Sequence, residues 1–232
     1  MSPRRAVPDK KNKRGLPLWI RLGAIVIIVV AAIIIGMDFT SKAEAPAAAP
    51  TVSGVTGTGR TLGNPHAPIA FVVFADFQCP YCREFALTAE SQIVANYVKT
   101  GKIGFTYKYF PIIDGGNIGE SHWAAEAAEC ANEQGKFWEY HDKLIQVWTG
   151  ENVCTFTKPK LEQYAAELGL NTASFSQCLE SDQTASVVAS DVAEGTQLGV
   201  QATPSFFVNN QPLVVQSFDY SQFAQAFDSL LK

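Results

Sequence analysis

The chain has 232 residues, of which 47% are hydrophobic, 11% aromatic and 17% charged. That length supports one sizeable core plus an appended segment, and the aromatic content excludes a purely disordered chain. A net charge of −4 argues against a generic nucleic-acid binder, and five cysteines are an odd number and too few for a disulfide scaffold of this size.

The charge is unevenly spread. Residues 1–37 carry seven Lys or Arg and one Asp, whereas residues 38–232 carry eleven Lys or Arg and twenty-one Asp or Glu. Residues 1–15 form a basic tail with Arg4, Arg5, Lys10, Lys11, Lys13 and Arg14. Residues 16–37 follow as an apolar run broken only by Arg21, and about twenty such residues span a bilayer core. Arg21 sits near the basic end, where it can snorkel, beside Trp19 as an interfacial anchor. The sequence therefore predicts a single transmembrane anchor with a cytoplasmic N-terminus and everything after about residue 38 outside. A cleaved signal peptide is the alternative. Ala43-Glu44-Ala45 fits a cleavage site, but Pro46 follows it, and the run exceeds the roughly 7–15 residues of a signal core. Residues 38–60, rich in Ala, Pro, Gly and Thr without apolar periodicity, read as a linker.

Residues 61–232 read as α/β. Ile69 to Phe74 is a short apolar, β-branched and aromatic run, consistent with a buried strand. Cys79-Pro80-Tyr81-Cys82 follows, and Phe85, Ala86, Ala89, Ile93 and Tyr97 then show helical spacing. Ile103 to Phe110 is a second strand. A helical block occupies about residues 116–198. Trp123, Ala127, Cys130 and Ala131 line one helix, Phe137, Tyr140, His141, Leu144, Ile145 and Trp148 the next, and Leu161, Tyr164, Ala165 and Leu168 a third. Gly169 is a natural end for that third helix, and Asn171 is a cap for a fourth carrying Phe175, Cys178 and Leu179. Val188, Val192 and Leu198 belong to a fifth. Ser205–Val208 and Leu213–Val215 read as a hairpin joined by residues 209–212, and Tyr220, Phe223, Phe227, Leu230 and Leu231 as a terminal amphipathic helix.

The cysteine pair carries the chemistry. Cys79 lies where a strand ends and a helix begins, facing unpaired N–H groups and the positive end of the helix dipole. Both favour thiolate, so its pKa should fall. Pro80 is tolerated because first-turn N–H groups have no helical partner. Cys82, one turn on, should be more buried and should attack a mixed disulfide formed at Cys79. Half a zinc site and an inert disulfide are the competing readings. Zinc needs a second close pair, and Cys130, Cys154 and Cys178 are each isolated. His66, His122 and His141 show no ligand spacing, so no metal is expected. His122 and His141 read as packed or surface histidines, and Trp123, Trp138 and Trp148 as packing residues.

The stretch Phe74-Ala75-Asp76-Phe77-Gln78-Cys79-Pro80-Tyr81-Cys82 resembles the active-site strand and turn of the DsbA-like thiol:disulfide oxidoreductases. Gly63-Asn64-Pro65-His66-Ala67-Pro68 resembles the lead-in of membrane-anchored bacterial members, and Ala202-Thr203-Pro204-Ser205-Phe206-Phe207-Val208-Asn209 the cis-proline strand. The resemblance implies a thioredoxin fold with an inserted helical domain, no prosthetic group, and exported unfolded proteins as substrates. It also implies reoxidation by a quinone-linked membrane oxidase. A cis bond at Pro204 would turn the backbone of Thr203 outward to pair with an extended substrate; an ordinary trans turn is the alternative. The resemblance further implies a disulfide between Cys130 and Cys178, against two buried free thiols, and leaves Cys154 as the odd thiol.

Two departures matter. Many relatives have a buried carboxylate six residues before the first cysteine, where this chain has Val73. Asp76 is nearer to the cysteines but could simply fix the turn. The Pro-Tyr dipeptide resembles that of glutaredoxins, with potentials of roughly −200 to −230 mV, rather than that of DsbA at about −120 mV. The resulting expectation is an extracytoplasmic thiol oxidase. A reductase or isomerase of the same fold, and a non-enzymatic peptide-binding module using the groove at Pro204, are the rivals.

Overall fold

The computed structural model describes Val55 and residues 57–232, so the basic tail, the expected anchor and most of the expected linker lie outside the described residues. Among the described residues no helix is long and apolar enough to cross a membrane.

A short hairpin opens the fold, β1 (Gly57–Thr58) and β2 (Thr61–Leu62). The strand β3 (Ile69–Ala75) leads into a continuous helical stretch, α1 (80–98). It begins as α-helix over Pro80–Phe85 and contains two π-helical turns, Ala86–Glu90 and Val94–Val98. Then come β4 (Ile103–Tyr109), α2 (Glu120–Glu133), α3 (Phe137–Val147), α4 (Lys158–Glu167), α5 (Thr172–Glu180) and α6 (Ala185–Gln197). The chain closes with β5 (Ser205–Val208), β6 (Gln211–Leu213) and α7 (Tyr220–Leu230). The sheet order is β1-β2-β4-β3-β5-β6, with β3 and β4 parallel and the other neighbours antiparallel. This is the mixed α/β thioredoxin-like architecture with a five-helix insertion between β4 and β5.

Alternation along β3 divides the core. Phe71, Val73 and Ala75 share a face with Phe105, Tyr107 and Tyr109 of β4, set by the register Phe71↔Phe105 and Val73↔Tyr107. Phe71, fully buried, touches the rings of Phe85, Phe105, Phe206, Phe223 and Phe227, so α1 and α7 close over one nucleus. Truncating such a ring to alanine typically costs about 3–5 kcal/mol. Phe74 points to the other face, against Phe110 and Phe207. There α6 comes so close that a Cβ at Gly195 would stand 2.9 Å from the Phe110 ring.

Two local expectations change. Residues 57–60 are not linker. Gly57 and Thr58 pair in the sheet, Gly59 and Arg60 form the turn after them, and Arg60 is tied to Asp191 and Glu129, stacks 4.6 Å over Tyr109 and donates to the Tyr107 carbonyl. Composition hid this, because the partners of Arg60 lie far along the chain. The terminal hairpin has only Asn209 and Asn210 at its tip, both with positive φ, and pairing runs over Gln211–Leu213 rather than Leu213–Val215. Asparagine tolerates that left-handed geometry, which suits a two-residue turn. In the insertion, Asn171 does cap α5, accepting from the Ser174 N–H at 3.1 Å, and Cys130 of α2 is joined to Cys178 of α5.

Candidate active site

The strand β3 delivers the site. Its last residues lead into Asp76, whose buried carboxylate accepts from the Gln78 N–H at 2.8 Å and the Ile113 N–H at 2.9 Å. Asp76 therefore fixes the turn, and the Cys79 N–H closes it onto the Asp76 carbonyl at 3.1 Å. Burial raises the Asp76 pKa despite these bonds. Cys79 then stands at the N-cap of α1, with Pro80 at the first helical position. Val73 is buried opposite Tyr107, so no carboxylate stands at that position of β3.

Cys79 and Cys82 are both free thiols, 3% and 5% exposed. Both side chains are nearly closed to solvent, but the Cys82 sulfur lies deeper and takes the full cost of desolvation, as the sequence predicts. The Cys79 pKa is lowered to about 6. The largest cause is a hydrogen bond from the Cys82 thiol, followed by Thr203 and the N–H groups of Cys82 and Tyr81, all acting against desolvation. Those two N–H groups are the unpaired donors that the helix start supplies. Cys82 moves the other way. Burial pushes its thiol well up, and the Cys79 sulfur and the Asp76 charge push in the same direction. The pair thus divides into a thiolate and a retained thiol.

The Thr203–Pro204 bond is cis. Across 124 residues of chain it brings Thr203 to Cys79, whose thiol donates to the Thr203 carbonyl at 3.2 Å. The Thr203 hydroxyl is buried with no hydrogen-bond partner among the described residues. A groove lined by Val200, Pro204, Phe206, Leu213, Val214 and Phe218 runs beside it. Tyr81 is 61% exposed and flanks the cysteines as a surface ring.

The remaining sequence candidates lie elsewhere. Cys154 is exposed, at φ 62 in the connection after α3. His122 binds Asp114, at 2.8 Å from Nδ1. His141 is buried, with Nε2 3.9 Å from the buried Glu90 carboxylate and its ring against Phe77 and Tyr107. Burial holds that Glu90 carboxyl up near about 7, opposed by the nearby His141. No grouping of three or more potential metal ligands occurs among the described residues.

Sequence reasoning missed Gln78 and Trp148. The Trp148 indole N–H donates to the Gln78 carbonyl at 2.8 Å, against the peptide bond that enters Cys79. Arg83 lies over the same indole, 5.4 Å from its centroid. The available signal was a lone polar residue, Gln78, between a buried Phe77 and the cysteine.

Comparison with known proteins agrees with this geometry. The family model for thioredoxin matches residues 55–229. The chain is 29% identical over 183 residues to the probable disulfide bond formation protein D of Bacillus anthracis, covering 75% of this chain and 79% of that protein. It is 34% identical over 149 residues to the Na(+)/H(+) antiporter NhaA 3 of Salinispora tropica, covering 64% of this chain but only 21% of the antiporter. The chain thus spans about a fifth of the length of such antiporters. Among solved structures, BdbD from Bacillus subtilis in its oxidised form superposes with a TM-score of 0.67 at 24% identity, covering 76% of this chain and 97% of that one. A thioredoxin-like oxidoreductase from Silicibacter pomeroyi gives 0.59 at 30% identity, covering 73% and 90%.

Proposed function

The chain belongs to the thioredoxin family, DsbA-like in kind, and on that premise we propose that it is a thiol:disulfide oxidoreductase acting as an oxidant outside the cytoplasm. The observation that carries this reading is the split between a Cys79 held near about 6 and a Cys82 held well above an ordinary thiol. Oxidising power comes from stabilising the reduced form, and a low-pKa Cys79 is also the better leaving group.

The reaction balances as two exchanges. A substrate thiolate attacks the Cys79 sulfur of the Cys79–Cys82 disulfide, and the Cys82 sulfur leaves and takes a proton. A second substrate thiolate then attacks the substrate sulfur of the mixed disulfide, and Cys79 leaves as a stabilised thiolate. The substrate loses two electrons, the enzyme gains them, and turnover requires a partner that takes them away. A membrane thiol oxidase suits that role, and exported, still unfolded proteins suit the groove beside Pro204. In this reading residues 16–37 tether the domain with residues 1–15 in the cytoplasm. External protease added to spheroplasts should digest residues 38–232 while sparing an N-terminal tag; a protected C-terminal domain would remove the localisation.

The decisive test is the glutathione-equilibrium potential of Cys79–Cys82. The oxidant reading expects a value between about −270 and −120 mV, and one at or below about −270 mV would make the protein a reductase. The pre-oxidised chain should oxidise a reduced unfolded protein stoichiometrically. Cys79→Ala should abolish this, and Cys82→Ser should trap mixed disulfides through Cys79.

A further inference from the structure

Gln78 is fully buried immediately before the reactive cysteine, and the exchange steps themselves make no use of it. Its side-chain carbonyl accepts from the Asn152 N–H at 2.6 Å. Its amide nitrogen donates towards Ser121 Oγ at 2.9 Å, Asp114 Oδ1 at 3.1 Å and Asn152 Oδ1 at 3.3 Å. Those partners come from three separate stretches: the connection after β4, the first turn of α2 and the connection after α3. One amide thus ties three parts of the inserted region to the turn that carries Cys79, and the Trp148 indole adds a fourth tie through the Gln78 carbonyl.

The turn itself has few bonds of its own, chiefly the Cys79 and Gln78 N–H groups on Asp76. Yet the Cys79 thiolate draws on the Cys82 thiol and on the N–H groups of Cys82 and Tyr81, which must all converge on one sulfur. Hydrogen bonds weaken steeply once donors swing off line. A turn free to rock would lose that alignment. We propose that Gln78 is the positioning residue that locks the inserted helices to the Cys79 turn, so that the nucleophile's donors stay aligned on its sulfur.

The surroundings support an amide rather than a charge. The carboxylates of Asp76 and Asp114 both face the position, and His122 caps the far side of Asp114. Glu120, on the same helix turn as Ser121, is turned to the N–H groups of Cys154 and Phe156. Arg83 is directed to the Ile145 carbonyl and the Trp148 ring. A neutral group able to donate and accept at once fits between them.

The inference deepens the reading of the same site but needs only exchange at Cys79, in either direction. The test uses the full-length reduced chain carrying Cys154→Ser, with Gln78→Ala and Gln78→Met compared against it. The rate of reaction with 5,5′-dithiobis(2-nitrobenzoate) is followed across pH, alongside thermal unfolding. Methionine keeps the volume and loses every hydrogen bond of the amide. Both variants should raise the apparent pKa of Cys79 by about one pH unit, which slows exchange about fivefold near pH 6 and leaves it unchanged where the thiol is fully ionised. A Cys79 pKa that stays put while thermal stability falls would reduce Gln78 to a structural role and overturn the proposal, as would a native-like Gln78→Met. If neither variant folds, Ser121→Ala must raise the pKa in the same direction, and no change there overturns it. A native potential at or below about −270 mV would reject the oxidant reading and leave this comparison intact.

Discussion

Replacing Cys82 tests the central electrostatic claim, because its thiol is the largest cause of the low Cys79 pKa. At pH 7 a thiol with the ordinary value of 9.0 is ionised in about one molecule in a hundred, and one at about 6 in about nine of ten. That gain weights the reduced form about tenfold, worth roughly 30 mV in a two-electron couple. A hydrogen bond to a charged acceptor contributes about 1.5–3 kcal/mol. Cys82→Ala removes that donor, so the Cys79 pKa should climb by about one to two pH units, to between about 7 and 8. Cys82→Ser keeps a hydroxyl donor at the same place and should hold the value near that of the native dithiol. Thiolate absorbance, titrated in a Cys154→Ser background so that Cys79 is the only free thiol, reads the difference. Equal values in the two variants would refute the assignment of the low pKa to Cys82. A value at or above about 8.5 in both would also remove the helix-start argument.

Two further outcomes follow from the interior. Breaking the Cys130–Cys178 bridge, which closes a separation of 48 residues, should lower stability by about 4 kcal/mol in the chain-entropy model; denaturant melts of Cys130→Ser with Cys178→Ser measure it, and an unchanged midpoint contradicts it. Glu90, raised from 4.5 to about 7 by burial, binds its proton more tightly folded than unfolded. The stability this gives is fully present below the unfolded value and is lost as pH rises through about 7, by roughly 3 kcal/mol in all. Glu90→Gln should therefore gain on the native chain between pH 4.5 and pH 8 in urea melts, and a constant difference would show that the His141 contact cancels the cost.

Much of this protein is legible in its sequence because the signals are local. An apolar β-branched run fixes β3. A proline just inside a helix start places Cys79 at an N-cap, Asn171 announces a helix, and two cysteines one turn apart declare their chemistry. None of these needs a distant residue to be understood. The remaining features depend on partners that only folding supplies. Arg60 looks like the end of a linker until Asp191 and Glu129 arrive from α6 and α2. Thr203 gains its role because antiparallel pairing of β5 with β3 carries it back to a cysteine 124 residues earlier. Gln78 is one polar residue among many until three separate stretches converge on its amide. A side chain's propensity and spacing act within a few residues, so sequence determines elements and reactive groups. Desolvation, hydrogen-bond convergence and charge pairing act through space, so the local donors at Cys79 were legible in the sequence, whereas its burial and its contact with Thr203 were decided only by the tertiary structure.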